Sequence, residues 1–111
     1  MTNPVYRIDI YRMITGKEPF NAWYTSLADS RVKMVIKRRL DRLQQGNAGV
    51  VRSVGHGILE LKIDLGPGYR VYYVLLSKNR IVVLTGGSKA SQREDIINSQ
   101  FYLEDLKRRH L

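Results

Sequence analysis

The sequence contains no cysteine, which excludes disulfide bonds and thiolate metal sites. Its apolar runs are short, and none approaches the roughly 20 residues that a membrane-spanning helix needs. No charged N-terminal segment leads into an apolar stretch, so no secretory signal is indicated. The two histidines stand apart and, without cysteine, indicate no zinc site. These absences predict a cytoplasmic protein with no membrane partner, no metal site and no cofactor.

Acidic residues are scarce. Ten Asp and Glu face nineteen Lys and Arg, which gives a formal net charge of +9. Many of the cations fall between Arg31 and Arg42, where only Asp41 opposes them, and residues 107–110 add a second basic cluster. This excess of positive charge favours a polyanionic partner, and nucleic acid is the first candidate. The alternative interpretation is a basic surface that serves solubility.

The length of 111 residues suits a single domain, and we expect it to span residues 1–111. Residues 5–14 mix β-branched and charged residues in near alternation, which predicts an N-terminal strand. After Pro19, a short helix is predicted because apolar residues recur at helical spacing, with Trp23 as a core anchor. A longer helix is predicted from a cap at Asp29 or Ser30 to about Gln45.

Three strands are predicted next, over residues 58–65, 69–76 and 80–86, and their short connections favour an antiparallel meander. Ser91 with Glu94 three residues later has the pattern of a capping box, so a closing helix is predicted there. We expect that helix to turn three residues inward: Ile96, Ile97 and Phe101. The order of a strand, two helices, an antiparallel sheet and a final helix indicates an α+β fold.

The first strand of the meander carries three charged residues that are candidates for a functional site. Alternation places Glu60, Lys62 and Asp64 together on one face, which we expect to be presented to solvent. A three-residue turn at 66–68 would pair Asp64 with Arg70, so that the Glu60 and Arg70 backbones lie about 13 Å apart. Arg70 then has two interpretations, a catalytic cation or one half of a surface ion pair with Asp64.

Two motifs give the chain a resemblance to a known family. The run GPGYRVYY, followed by VVLTGGSKASQREDI, resembles the RelE/ParE toxin superfamily and in particular its phage-derived addiction module killer branch. In that branch a strand reading roughly E-L-[RK]-I, a GPGYR turn and a GGxKxSQxxDI segment recur in this order. The resemblance covers nearly the whole chain and implies a RelE-like α+β domain.

The resemblance implies a toxin of a type II toxin–antitoxin pair. Many RelE-like toxins cut mRNA in the ribosomal A site without a metal, using the RNA 2′-hydroxyl as the nucleophile. On that basis Arg70 is the transition-state arginine, Lys89 a second cation and Glu60 the general base. The expected nucleic-acid contacts are Lys62, Arg38, Arg42 and Arg93.

The expected partners are mRNA, the ribosome and a cognate antitoxin with a helix-turn-helix, through which alone the toxin would meet DNA. Two alternatives remain open. ParE-like relatives bind DNA gyrase without a nuclease site, and the stretch Arg93, Glu94, Asp95 stands where ribonuclease members carry a His or Tyr. The other alternative is a basic adaptor or a degenerate toxin held only in an antitoxin complex.

Overall fold

A computed structural model describes residues 5–110 of the chain, which form five strands, three α-helices and one 3-10 turn. In chain order these elements are β1 (Arg7–Ile10), α1 (Pro19–Ser26), α2 (Ser30–Gln44), β2 (Val51–Ser53), β3 (Ile58–Ile63), β4 (Tyr69–Ser77), β5 (Arg80–Ser88), the 3-10 turn (Lys89–Ser91) and α3 (Gln92–His110).

The strands form one mixed sheet in the order β1-β5-β4-β3-β2. Strands β2 to β5 are antiparallel neighbours, whereas β1 runs parallel to β5 at the sheet edge, with Arg7 opposite Arg80. The α+β fold and the meander are confirmed. The N-terminal strand is shorter than predicted, and the Gly-rich segment before β3 supplies a further edge strand, β2.

Both faces of the sheet are covered by helices. On one face α1 and α2 bury a core that includes Phe20 and Ile36, and on the other face α3 buries a second core with Tyr72 and Leu103. Trp23 packs against the first core, as predicted, and its ring occupies the space that a Cβ at Gly86 would need. Close approach of a helix therefore requires glycine at this point of β5.

Adjacent Gly87 serves the opposite face in the same way. A Cβ there would coincide with the Asp95 carboxylate and would also press on the Ser91 hydroxyl. Successive residues of a strand point to opposite faces, so two neighbouring glycines let both helical layers approach β5. The GG dipeptide in the TGGSK run is thus explained by packing.

Helix α3 buries only part of the predicted face: Ile96 packs against the second core, as predicted, whereas the other two residues do not. Ile97 is 46% exposed and Phe101 is 63% exposed, whereas Leu103 and Leu106 are buried. The buried side is set instead by Ser99, whose small side chain is completely buried and donates to the Asp95 carbonyl. Because Leu103 and Leu106 follow Ser99 at helical spacing, Ile97 and Phe101 fall on the outer side.

Helices α2 and α3 both begin where the sequence predicts, but the predicted capping interaction is found in only one of them. Asp29 caps α2 by accepting from the Arg31 backbone N–H at 2.9 Å. Ser91 instead ends a 3-10 turn, and its hydroxyl donates to the Asp95 carboxylate at 2.6 Å, so the capping box with Glu94 was wrong. No helix within residues 5–110 is long and apolar enough to cross a membrane.

Candidate active site

The site is built by the register of β3 and β4. Ile63 pairs with Tyr69, Lys62 with Arg70 and Glu60 with Tyr72. The predicted pairing of Asp64 with Arg70 is therefore wrong, because the connection includes residues 64–68 and not a three-residue turn. In that loop the Leu65 carbonyl accepts from the Gly68 N–H at 2.9 Å, with Gly66 at a φ of +54°.

In this register Lys62 lies opposite Arg70, and Glu60 stands two positions before Lys62 on the same face of β3. Glu60 Oε1 lies 3.6 Å from Arg70 Nε, and both side chains are buried. The expectation that Glu60 is presented to solvent is wrong, since α3 covers this face of the sheet and leaves Glu60 1% exposed. Asp64 lies on the exposed loop, 3.7 Å from Lys62 Nζ.

Both oxygens of the Glu60 carboxylate have partners. Oε1 accepts from Arg52 Nε at 2.8 Å, and Oε2 accepts from Gln92 Nε2 at 2.9 Å. Burial works to raise the pKa of Glu60, but the hydrogen bonds from Arg52 and Gln92 together hold that pKa below its usual value. Glu60 is therefore a carboxylate at neutral pH. Arg52 stands on the edge strand β2 with its side chain 61% exposed.

Arg70 differs from Glu60, because some of its hydrogen-bond donors have no acceptor within the part of the chain that the structure describes. Its side chain is 8% exposed, yet Nε and Nη1 have no hydrogen-bond partner among the described residues. Nη1 lies beside Gly68, where a Cβ would come within 3.4 Å of it. Buried N–H groups are normally paired, and an acceptor is therefore expected to bind here.

Tyr72, opposite Glu60, adds a second buried polar group. Its hydroxyl also lacks a hydrogen-bond partner within residues 5–110. Burial, followed by the negative charge of Glu60, raises the pKa of Tyr72. The phenol therefore remains protonated at neutral pH and is available as a donor.

Two adjoining cavities open at this point, and Lys62 and Arg70 line both. The first has a volume of about 370 Å³ and is completed by Val50, Arg52, Glu60 and Gln92. The second has a volume of about 400 Å³ and is completed by Asp64, Leu65, Gly66, Pro67, Gly68 and Lys89. A phosphate bound between Lys62 and Arg70 would have space on either side for the rest of a chain.

The structure brings four of the predicted site residues together and separates the others. Glu60, Lys62, Arg70 and Lys89 line the two cavities. Arg93 is exposed in the first turn of α3, next to Gln92. Arg38 and Arg42 are exposed on α2, which packs against the opposite face of the sheet. Their role as nucleic-acid contacts stays a prediction.

Three polar residues that shape the site were not predicted: Arg52, Gln92 and Arg39. Arg39 extends from α2 to donate to the backbone carbonyls of Lys62 at 2.8 Å and Ala48 at 3.1 Å. Gln92 lies inside the SQRED run. The sequence shows that motif, but it does not show that the Gln92 side chain reaches Glu60. Arg52 had a weaker signal, the alternation of Val51, Arg52 and Ser53 in a segment otherwise rich in glycine.

Comparison with known proteins assigns this chain to a family. Residues 24–108 match the family described as "Phage derived protein Gp49-like". The chain belongs to this family. The match includes every residue that lines the two cavities of this Gp49-like chain. An uncharacterised protein of Haemophilus influenzae is 40% identical over 87 residues, which are 78% of this chain and 88% of that relative.

Proposed function

We propose that this protein is the toxin of a type II toxin–antitoxin pair, and that it cleaves mRNA on the ribosome without a metal. Membership in the phage-derived Gp49-like family supports a toxin–antitoxin role. The cleavage activity is supported chiefly by one observation, the buried Arg70 guanidinium whose Nε and Nη1 have no hydrogen-bond partner among the described residues. A phosphate oxygen is the acceptor that suits such a guanidinium best.

In the proposed reaction the 2′-oxygen of the RNA forms a bond to phosphorus while the bond from phosphorus to the 5′-oxygen breaks. The products are a 2′,3′-cyclic phosphate and a 5′-hydroxyl. The 2′-hydroxyl gives up a proton, and the departing 5′-oxygen takes one from water. Arg70 and Lys62 would stabilise the negative charge that develops on the phosphoryl oxygens, with Lys89 as a further cation at the second cavity.

Glu60 is our proposed acceptor of the 2′-hydroxyl proton, on one condition. In the free protein Arg52 and Gln92 occupy its two oxygens, so one of these donors must turn away first. Arg52 is the one able to do so, because its side chain is mostly exposed. RNA phosphates would draw Arg52 off Glu60, which raises the basicity of the carboxylate when substrate binds.

Inducible expression in bacteria tests the proposal. Wild type, Arg70→Ala and the control Arg108→Ala, which removes an exposed arginine of α3, are compared for growth and for new mRNA 5′ ends at equal soluble protein. We expect wild type and Arg108→Ala to arrest growth and cut mRNA. Arg70→Ala should lose about 10²–10³-fold in cleavage rate, as for removal of one oxyanion donor.

The other outcomes separate the alternatives. Growth arrest without mRNA cuts, retained in Arg70→Ala, would overturn the nuclease proposal in favour of gyrase binding. No arrest by wild type would favour a degenerate toxin. Because Arg70 is buried beside Glu60, circular dichroism of the purified variants must show that Arg70→Ala is folded.

The proposed antitoxin would cover the two cavities. Two of their cations, Lys62 and Lys89, call for an acidic segment from the partner. We propose that this antitoxin carries the helix-turn-helix through which the pair would bind DNA. Pull-down of the tagged protein from a strain that also makes the antitoxin would test whether the antitoxin covers the cavities. The Lys62→Glu variant should capture less of it.

A further inference from the structure

A third cleft lies on the far side of the 64–68 loop from the candidate site. It has a volume of about 460 Å³ and lies between that loop and the start of α2. Most of its lining is apolar and is supplied by Val32, Val35, Leu65, Pro67 and Tyr69, while Asp29 adds a half-exposed carboxylate 3.9 Å from Arg31 Nε. Arg31 stands at its rim with a side chain that is 90% exposed.

The 64–68 loop belongs to both the cleft and the cationic cavity. Leu65, Gly66 and Pro67 line each of them. Two hydrogen bonds at Gly68 hold the loop: its N–H donates to the Leu65 carbonyl, and its carbonyl accepts from the Lys89 N–H at 3.1 Å. The cleft and the site are therefore held in one relative position.

Strand β4 links the two sides through neighbouring residues. Tyr69 and Arg70 are consecutive, so their side chains point to opposite faces of the sheet. Arg70 faces the cavities and Tyr69 faces the cleft, with its ring centroid 6.4 Å from that of Trp23. Arg70 and Tyr69 thus lie on the two sides of the 64–68 loop, the guanidinium at the cavities and the aromatic ring at the cleft.

A nucleotide has this combination of groups, a charged phosphate and a flat base with an apolar face. Bases of single strands stack on aromatic side chains while basic side chains follow the backbone phosphates. We infer that the cleft binds the base of a nucleotide next to the cleaved bond, with the RNA strand draped over the 64–68 loop. This inference rests on the proposed RNA cleavage, and it makes Tyr69 and Leu65 base contacts.

Abasic substitution in the RNA tests the inference directly. Synthetic mRNAs on ribosomes would carry one abasic ribose, placed either on the 5′ or on the 3′ side of the two nucleotides that flank the cleaved bond. For wild type, one of these RNAs should lose about tenfold in kcat/KM, mainly through KM, because a stacked base is worth roughly 1–3 kcal/mol.

The variants form a matched set. Leu65→Asn removes a leucine of the cleft that is 37% exposed, and Leu75→Asn removes one on β4 that is 44% exposed and lies outside the cleft. The abasic loss should shrink to less than about twofold in Leu65→Asn and stay about tenfold in Leu75→Asn. Tyr69→Leu, which keeps apolar volume but removes the ring, should behave like Leu65→Asn.

Failure of the inference is distinguishable from failure of the proposed function. If wild type cuts intact and abasic mRNAs equally well, or if the loss is the same in Leu65→Asn and Tyr69→Leu as in wild type, the cleft binds no base and the nuclease stands. If wild type cuts none of the RNAs, the proposed function fails and the base site falls with it.

Discussion

Glu60 Oε1 lies 3.6 Å from Arg70 Nε across strands β3 and β4, and both side chains are almost fully buried. That separation gives charge attraction without a hydrogen bond. Glu60 instead accepts its hydrogen bonds from Arg52 and Gln92. The carboxylate thus fixes the position of Arg70 and leaves N–H groups of Arg70 available to a ligand.

Glu60→Gln should destabilise the fold in a pH-dependent way. At pH 7 the free energy of unfolding should fall by about 3 kcal/mol, because the buried Arg70 loses its counter-charge. The pKa of Glu60 is lowered by folding, so this stabilisation is present above the unfolded pKa of about 4.3 and is lost as pH falls through the folded value.

Urea unfolding of wild type and Glu60→Gln between pH 7 and pH 3 would measure this difference, and it should shrink toward the acid end. Asp64→Asn is the control, since Asp64 is an exposed carboxylate two positions beyond Lys62 and its loss should change stability by less than about 0.5 kcal/mol. Equal effects of the two substitutions would contradict the buried ion pair.

Arg39→Met should destabilise the protein while Arg38→Met does not. Arg39 donates to the backbone carbonyls of Lys62 and Ala48, and burial lowers its pKa. Loss of these hydrogen bonds should cost about 2 kcal/mol. Arg38, its exposed neighbour on α2, serves as the control. Thermal or urea unfolding gives the comparison, and a smaller loss for Arg39→Met than for Arg38→Met is the result that would count against it.

Gly87→Ala should cost about 2 kcal/mol, because the added methyl group has no space beside Asp95. The double variant Gly87→Ala with Asp95→Ala should recover part of this loss, since the obstructing carboxylate is gone. Stability measured for both single variants and the double variant forms a cycle. Strict additivity would show that the methyl group and Asp95 do not meet.

Tyr11→Phe should weaken the attachment of the C-terminal part of α3 to β1. The Tyr11 hydroxyl donates to Asp105 Oδ2 at 2.5 Å, and loss of the bond should cost about 1 kcal/mol. Burial and then Asp105 raise the pKa of Tyr11 to about 12, so this contribution is present below the unfolded pKa near 10 and disappears as pH rises toward 12. Unfolding curves of the two proteins should therefore converge over that range.

The elements that sequence predicted well are those with a strong local pattern. Short apolar runs bounded by turn residues identified β3, β4 and β5, and the apolar stripe identified α2. The predicted face of α3 was right for Ile96 and wrong for Ile97 and Phe101, since a buried serine, Ser99, takes a position where apolar residues are expected. No local rule shows that a sheet leaves room there only for a small side chain.

The site was predictable in its residue types and not in its geometry. The motif residues Glu60, Arg70 and Lys89 do line adjoining cavities, whereas their spacing depended on a loop whose turn begins at Leu65. The register differs from the predicted one by two positions, so Lys62 and not Asp64 lies opposite Arg70. As a result the carboxylate beside Arg70 is that of Glu60. Arg52 and Gln92 come from other elements, so their contacts with Glu60 follow only from the tertiary fold.

The parallel pairing of β1 with β5 has a consequence for the timing of folding. Arg7 is made early in translation, but its partner in the sheet is Arg80, and Glu60 receives Gln92 from α3 later still. Such distant pairings form only after the intervening chain exists. The site of the proposed nuclease would thus stay incomplete until the chain has been made as far as Gln92.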